Sequence, residues 1–140
     1  MSQPIDIRSA ERVENWSDSN PDLRMQNAFL AFKGMGSEHA AVVYFELEPG
    51  HETGVHRDSA EEIVLVLDGE VEAHTSDDVT RLTVHQLAVI PADAPHNVRN
   101  VGATTARVIG FFAAGHVRSR FEDVLQPDNL SDFNTADIPV

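Results

Sequence analysis

The sequence predicts an all-β fold, a sandwich or barrel of short strands. Apolar, β-branched segments recur at short, nearly regular intervals, with glycine, proline, asparagine and aspartate between them. Within several segments the apolar residues alternate with period two, the mark of a sheet with one buried face. Helical spacing shows in only two short stretches, one near each end of the chain.

Residues 1–24 are polar and form an N-terminal extension, with a short helix from Ser9 to Trp16 that packs Val13 and Trp16 on the body. The turn Asp18-Ser19-Asn20-Pro21-Asp22 closes it. Its Asp18-x-Asn20-x-Asp22 spacing is that of the start of a calcium loop. Leu23 at the required glycine and Phe29 at the required glutamate exclude one.

Asn27–Phe32 and His39–Glu48 read as strands around a Gly34-Met35-Gly36 turn, and Ala41, Val43, Phe45 and Leu47 give the second one buried face. The run Ile63-Val64-Leu65-Val66-Leu67 is apolar on both faces and ends in Asp68-Gly69, a hairpin signal. Glu70–His74 and Val79–Thr83 flank a turn at Ser76-Asp77-Asp78. Leu87–Ile90, the turn Pro91–Pro95, His96–Asn100 and Thr104–Ala113 complete the strands. Val117, Phe121, Val124 and Leu125 then fall at helical spacing, giving a short C-terminal helix before Pro127. The tail to Val140 is an arm on the body or on a partner subunit.

The 140 residues suit one domain, 1–140, with its barrel core over about 25–115 and the helix and tail over 116–140. Without cysteine there are no disulfides, thiolate metal sites or cysteine nucleophiles. A formal net charge of −13 argues against nucleic acid and acidic membrane surfaces as partners. Lys33, the one lysine, sits in a loop-like segment, which disfavours Schiff-base catalysis. No apolar stretch approaches a membrane span and the start lacks the apolar core of a signal peptide, so a cytoplasmic protein is expected.

The chemistry gathers in Gly50–Gly69. His56 and Asp58 stand two apart, so an extended chain points both to one face, and Glu62 opens the apolar run. His96 shares parity with Val98 and is expected to face inward. Alone it would be a satisfied core histidine. Two inward imidazoles with neighbouring carboxylates, however, form the ligand set of octahedral non-haem Fe, Mn, Ni or Zn sites. A buried Glu62 needs a cation, a hydrogen-bonding partner or a proton.

The remaining candidates rank lower. His51 and His85 lie at turns, His74 shares a polar face with Glu70 and Glu72, and His39 and His116 flank strands. Arg57 has the opposite parity and is expected to pair with Glu61, while Tyr44 packs within its strand or reaches a pocket. No Ser-His-Asp arrangement has a nucleophile setting.

Gly50-x5-His56-x-Asp58-x3-Glu62-x6-Gly69 resembles the first cupin motif, and Pro91-x-Asp93-x2-His96-x3-Asn100 the second. The resemblance is to small single-domain cupins of the quercetin-dioxygenase-like, conserved-barrel type. It implies a jelly roll, the double-stranded β-helix, around a divalent metal held by three histidines and one glutamate. By position His56, Glu62 and His96 match those ligands, and Asp58 stands where the family usually has its second histidine. Asp58 is either a ligand, completing a two-His, two-carboxylate sphere, or a group that orients His56 and leaves open positions on the metal. His85 and Asp93 stand where the second motif usually has glycines, so their turns must tolerate side chains.

This fold hosts many chemistries. The first expectation is a metal-dependent enzyme such as a dioxygenase acting on a small organic molecule, with Glu62 as ligand and base. The alternatives are an isomerase or lyase using the metal as a Lewis acid, or a non-catalytic binder or sensor of a small ligand. The second apolar face of Ile63–Leu67 needs a sheet, an arm or another subunit to cover it, and a homodimer is expected.

Overall fold

A computed structural model describes residues 3–140, so the first two residues of the expected 1–24 extension lie outside the described residues. Its strands are, in chain order, β1 (Val13–Trp16), β2 (Arg24–Ala31), β3 (Ala41–Leu47), β4 (His56–Asp58), β5 (Glu62–Asp68) and β6 (Val71–Thr75). Then follow β7 (Val79–Leu82), β8 (Leu87–Ile90), β9 (His96–Asn100), β10 (Ala106–Phe112), β11 (Arg118–Leu125) and β12 (Leu130–Asn134). They form two six-stranded sheets, ordered β1-β2-β3-β10-β5-β8 and β12-β11-β4-β9-β6-β7, and their ladders are antiparallel. This is the expected all-β jelly roll.

The period-two alternation supplies the core. Val43 and Phe45 of β3, Val64 and Val66 of β5, and Val108 and Phe112 of β10 meet Val71, Val98 and Leu125 from the other sheet. Each such side chain contributes about 1.5–3 kcal/mol on full burial. Glu62 shares the parity of Val64 and Val66, so the alternation that builds the core also carries its carboxylate inward.

Three local expectations are corrected. Ser9–Trp16 is not helical: a 3₁₀ turn at Ile7–Ser9 precedes strand β1, which pairs with β2 from Val13↔Asn27 to Trp16↔Arg24. The expected C-terminal helix is strand β11. Val117, Phe121 and Leu125 are four apart, and a spacing of four satisfies both a helical stripe and one face of a strand. Val124 separates the two readings: a helix would bury it, and in β11 it alternates outward and is exposed. The only helical turn beyond it among the described residues is the 3₁₀ turn Thr135–Asp137, and the tail lies on the body as β12.

Asp68-Gly69, finally, does not close a hairpin, because β5 and β6 belong to different sheets. The turn carries the chain across the sandwich. Gly69 is at φ +79°, and a Cβ there would lie 3.0 Å from Ala106 Cα and 3.1 Å from the Thr105 carbonyl oxygen. Glycine is required for the crossing. His85 and Asp93 take φ of 71° and 61°, so these two turns keep a glycine-like backbone with side chains that tolerate it.

The outer face of the β2-β3-β10-β5 region carries a second cluster around Leu30, Tyr44 and Ile109, partly covered by Ile7 and Ala10 of the N-terminal segment. Arg12 anchors that segment, with an ion pair to Glu46 at 3.1 Å and its guanidinium over the Tyr44 ring. The arm therefore covers part of the second apolar face, and Ile63, Leu87, Val89 and Phe111 remain exposed.

Candidate metal centre

Strand β4 is three residues long, and its neighbours make the site. β9 pairs with it at His56↔His96, and β11 at Ser119↔Asp58 and Phe121↔His56. Side chains paired in register on adjacent strands share a face. His56, Asp58 and His96 thus converge inside the sandwich, with potential ligand atoms all within 4.8 Å of one another. Asp58 Oδ2 lies 3.1 Å from His96 Nε2 and 3.5 Å from His56 Nε2. Glu62 borders this group from the other sheet, its Oε1 3.6 Å from His96 Nε2.

The surrounding hydrogen bonds settle which atoms are left for a ligand. His56 Nδ1 is 2.8 Å from the Gly54 carbonyl oxygen and His96 Nδ1 is 2.9 Å from that of Ala94. Each Nδ1 therefore carries the proton, and each Nε2 turns into the cluster. Ser119 Oγ donates to Asp58 Oδ1 at 2.6 Å, leaving Oδ2 to face the imidazoles. Asp58 Oδ2 and His96 Nε2 are fully buried, and their polar neighbours are each other and the remaining groups of the cluster. The Phe121 ring stacks on His56, with centroids 4.5 Å apart.

The electrostatics point the same way. Burial pushes the His96 pKa down, but the Asp58 and Glu62 carboxylates outweigh it and raise His96 to about 10. Burial pushes Asp58 up, and the two imidazoles overcome this and hold it below the usual carboxylate range. Glu62 moves upward, chiefly through burial and further through the charge of Asp58. The cluster demands positive charge. Two imidazole Nε2 atoms and a carboxylate oxygen meeting at one point could hold a divalent metal ion of the Fe, Mn, Ni or Zn group.

Of the four expected site residues, the structure joins His56, Asp58 and His96 directly and places Glu62 alongside. Asp58 Oδ2 lies beside both imidazole Nε2 atoms. The other histidines stay outside the group: His74 meets Glu72, His116 meets Thr135, and His39 and His85 are exposed. His51, expected at the surface, is half-buried in the loop before β4. Arg57 points away as expected, but donates to the Asp93 carbonyl and makes no ion pair with Glu61. Tyr44 packs on the outer face, donating to Glu46 and accepting from Arg107.

Three contributors were not read from the sequence. Ser119 and Phe121 lay within the expected helix, where neither has a reason to approach β4. Gly110 lies in β10 where a Cβ would sit 2.1 Å from Glu62 Oε2, so its missing side chain makes room for the carboxylate. A glycine inside the Thr104–Ala113 strand was an available signal of such close approach.

The cluster opens on a cavity of about 280 Å³ with mainly apolar walls. No helix among the described residues is long and apolar enough to cross a membrane.

Comparison with known proteins agrees with the fold. No curated protein matches the chain. Similar solved structures include a polyketide cyclase from Streptomyces resistomycificus, 17% identical over 80% of this chain and 79% of that one, with a TM-score of 0.65. A putative sugar phosphate isomerase from Acidithiobacillus ferrooxidans is 19% identical over 100% of this chain and 95% of that one, TM-score 0.65. A cupin 2 domain-containing protein from Halorhodospira halophila is 25% identical over 65% of this chain and 64% of that one, TM-score 0.58. Residues 43–112, half of the 140-residue chain, match the cupin domain family, and they run from β3 through the site strands to β10. The chain belongs to the cupin family.

Proposed function

We propose that the protein is a divalent-metal-dependent enzyme, a dioxygenase acting on a small organic molecule, with the metal held by His56, Asp58, His96 and Glu62. The observation that carries this reading is the convergence of His56 Nε2, His96 Nε2 and Asp58 Oδ2, the last two fully buried, at one point at the end of an apolar cavity. Buried carboxylates need positive charge beside them, which a proton on His96 supplies in metal-free protein and a divalent cation would supply in its place. A bound Fe(II) would supply a place where O₂ and an organic substrate meet.

The chain's own residues do the rest. The Gly54 and Ala94 carbonyls fix both imidazoles by their Nδ1 protons, and Ser119 fixes the Asp58 carboxylate. Glu62 would serve as a ligand and, swung off the metal, as a base that takes a proton from a substrate. The valine and phenylalanine walls exclude water. The test is metal analysis of freshly purified protein, followed by O₂ uptake by the iron form with a panel of phenols and diketones. Metal at about one per chain with O₂ uptake on at least one panel member supports the reading. Metal without uptake on any member removes the dioxygenase.

A second reading is favoured by Glu62. A protonatable carboxylate 3.6 Å from His96 Nε2 suits an isomerase or lyase in which the metal acts as a Lewis acid. Turnover with Zn(II) or Mn(II) in the absence of O₂ distinguishes it from the first.

The proposal includes a homodimer formed through the outer face of β10, β5 and β8. Phe111, Ile63 and Val89 lie in register across these three strands, beside the pair Leu65 and Leu87. Such a contiguous exposed apolar row suits a self-complementary two-fold contact.

A further inference from the structure

We propose that the cavity takes a neutral, ring-containing molecule and rejects phosphorylated or otherwise strongly anionic ones. The inference deepens the reading above and takes from it only that the site admits a small molecule. It rests on the chemistry of the cavity walls. Aromatic rings line both sheets: Phe29 and Phe112 form a stacked pair on β2 and β10, and Phe121 and Phe133 an edge-on pair on β11 and β12. Rings on two facing walls favour a flat, apolar guest.

The charged groups along the cavity argue against an anion. No lysine or arginine lines it, whereas Asp58, Glu62 and Asp128 do. Arg118 and Arg120 of β11 are exposed and pair with Asp132 and Asp93 instead of turning inward. A phosphate entering this space would leave water for a site with no lysine or arginine, where the positive charge at His96 or on a metal already faces the Asp58 and Glu62 carboxylates. A phosphate dianion needs several charge-assisted donors to offset that loss.

Apart from these carboxylates and the two imidazoles, the polar side chains lining the cavity are neutral. Asn27 spends one amide hydrogen on Asn15 Oδ1 at 2.8 Å, and Asn15 is held in turn by the Gln126 carbonyl. The Asn27 carbonyl makes no hydrogen bond with the protein among the described residues, so it can accept one from a ligand hydroxyl. A guest with one hydroxyl toward the His56, Asp58 and His96 group and a second toward Asn27 would meet a polar partner at each of these two points.

The test compares 2-naphthol, 2,6-dihydroxynaphthalene, 2-naphthyl phosphate and glucose 6-phosphate by calorimetry, on Zn(II)-loaded and on chelator-stripped full-length protein. 2-Naphthol is expected to bind both forms and, on the chelator-stripped form, to bind at least about tenfold more tightly than 2-naphthyl phosphate, because the added phosphate is buried beside carboxylates with no lysine or arginine. Phe29→Ala should weaken it about three- to tenfold. The diol should bind more tightly than 2-naphthol, and Asn27→Leu, which keeps the apolar packing, should abolish that difference. Equal or tighter binding of 2-naphthyl phosphate or glucose 6-phosphate to the stripped protein would overturn the inference, as would naphthol binding indifferent to both variants. Protein that takes up no Zn(II) yet binds 2-naphthol selectively removes the metal reading and leaves this inference standing.

Discussion

Ser119 Oγ donates a 2.6 Å hydrogen bond to Asp58 Oδ1 across 61 positions of sequence, and this bond turns Asp58 Oδ2 toward His56 and His96. It makes the unusual aspartate a direct neighbour of both imidazoles and makes Ser119 a positioning residue. Ser119→Ala is expected to lower metal affinity about 10–100-fold, the range for loss of a group that orients a ligand. Asp58→Asn, which removes the charge from the cluster itself, should lower it further. Competition with a fluorescent chelator measures both. An Asp58→Asn protein with unchanged affinity would place the metal elsewhere.

His96 predicts opposite pH behaviour for the metal-free and metal-loaded protein. Its pKa is raised from 6.5 to about 10, so in metal-free protein its protonation stabilises the fold fully below about pH 6.5. That contribution fades as pH rises through about 10. The lowered Asp58 contributes throughout this range, since its stabilisation fades only on acidification. Urea midpoints of chelated protein should therefore fall between pH 7 and 10. With Zn(II) bound, the cation replaces the proton on His96 and the fall should largely disappear. Parallel curves for the two forms would contradict the assignment.

Gly110 and Glu62 should behave as one unit. An alanine Cβ at 110 would meet Glu62 Oε2 at 2.1 Å and Val43 Cγ1 at 3.1 Å. Gly110→Ala is expected to cost about 1–3 kcal/mol through overpacking and to displace the Glu62 carboxylate. Glu62→Ala removes the clashing group, so the double variant should recover most of that cost. Denaturant unfolding of the four proteins gives the coupling, and strict additivity would mean that the glycine does not serve the carboxylate.

The outer face of β10, β5 and β8 predicts an interface. Phe111→Asp or Val89→Asp should convert a dimer to a monomer at micromolar concentration, read by size exclusion with light scattering, while metal content is retained. A wild-type monomer under the same conditions would assign the row of Phe111, Ile63 and Val89 some other role.

The sequence by itself determined the period-two alternation of β3, the doubly apolar run of β5 and the inward parity of His96. It also determined the punctuated turns and the spacing that marks His56, Asp58, Glu62 and His96 as a group. These are local properties, since neighbouring residues fix which face each side chain takes.

Only the tertiary structure decided what depends on distant pairing. Residues 118–125 become a strand because β4 and β12 offer ladders on both sides, and local spacing cannot tell that from a helix. Asp68-Gly69 crosses between sheets instead of closing a hairpin, because β5 finds its partners in β10 and β8. Asp58 faces both imidazoles because β9 and β11 flank β4, bringing His96 and Ser119 to a three-residue strand that could not hold the geometry alone.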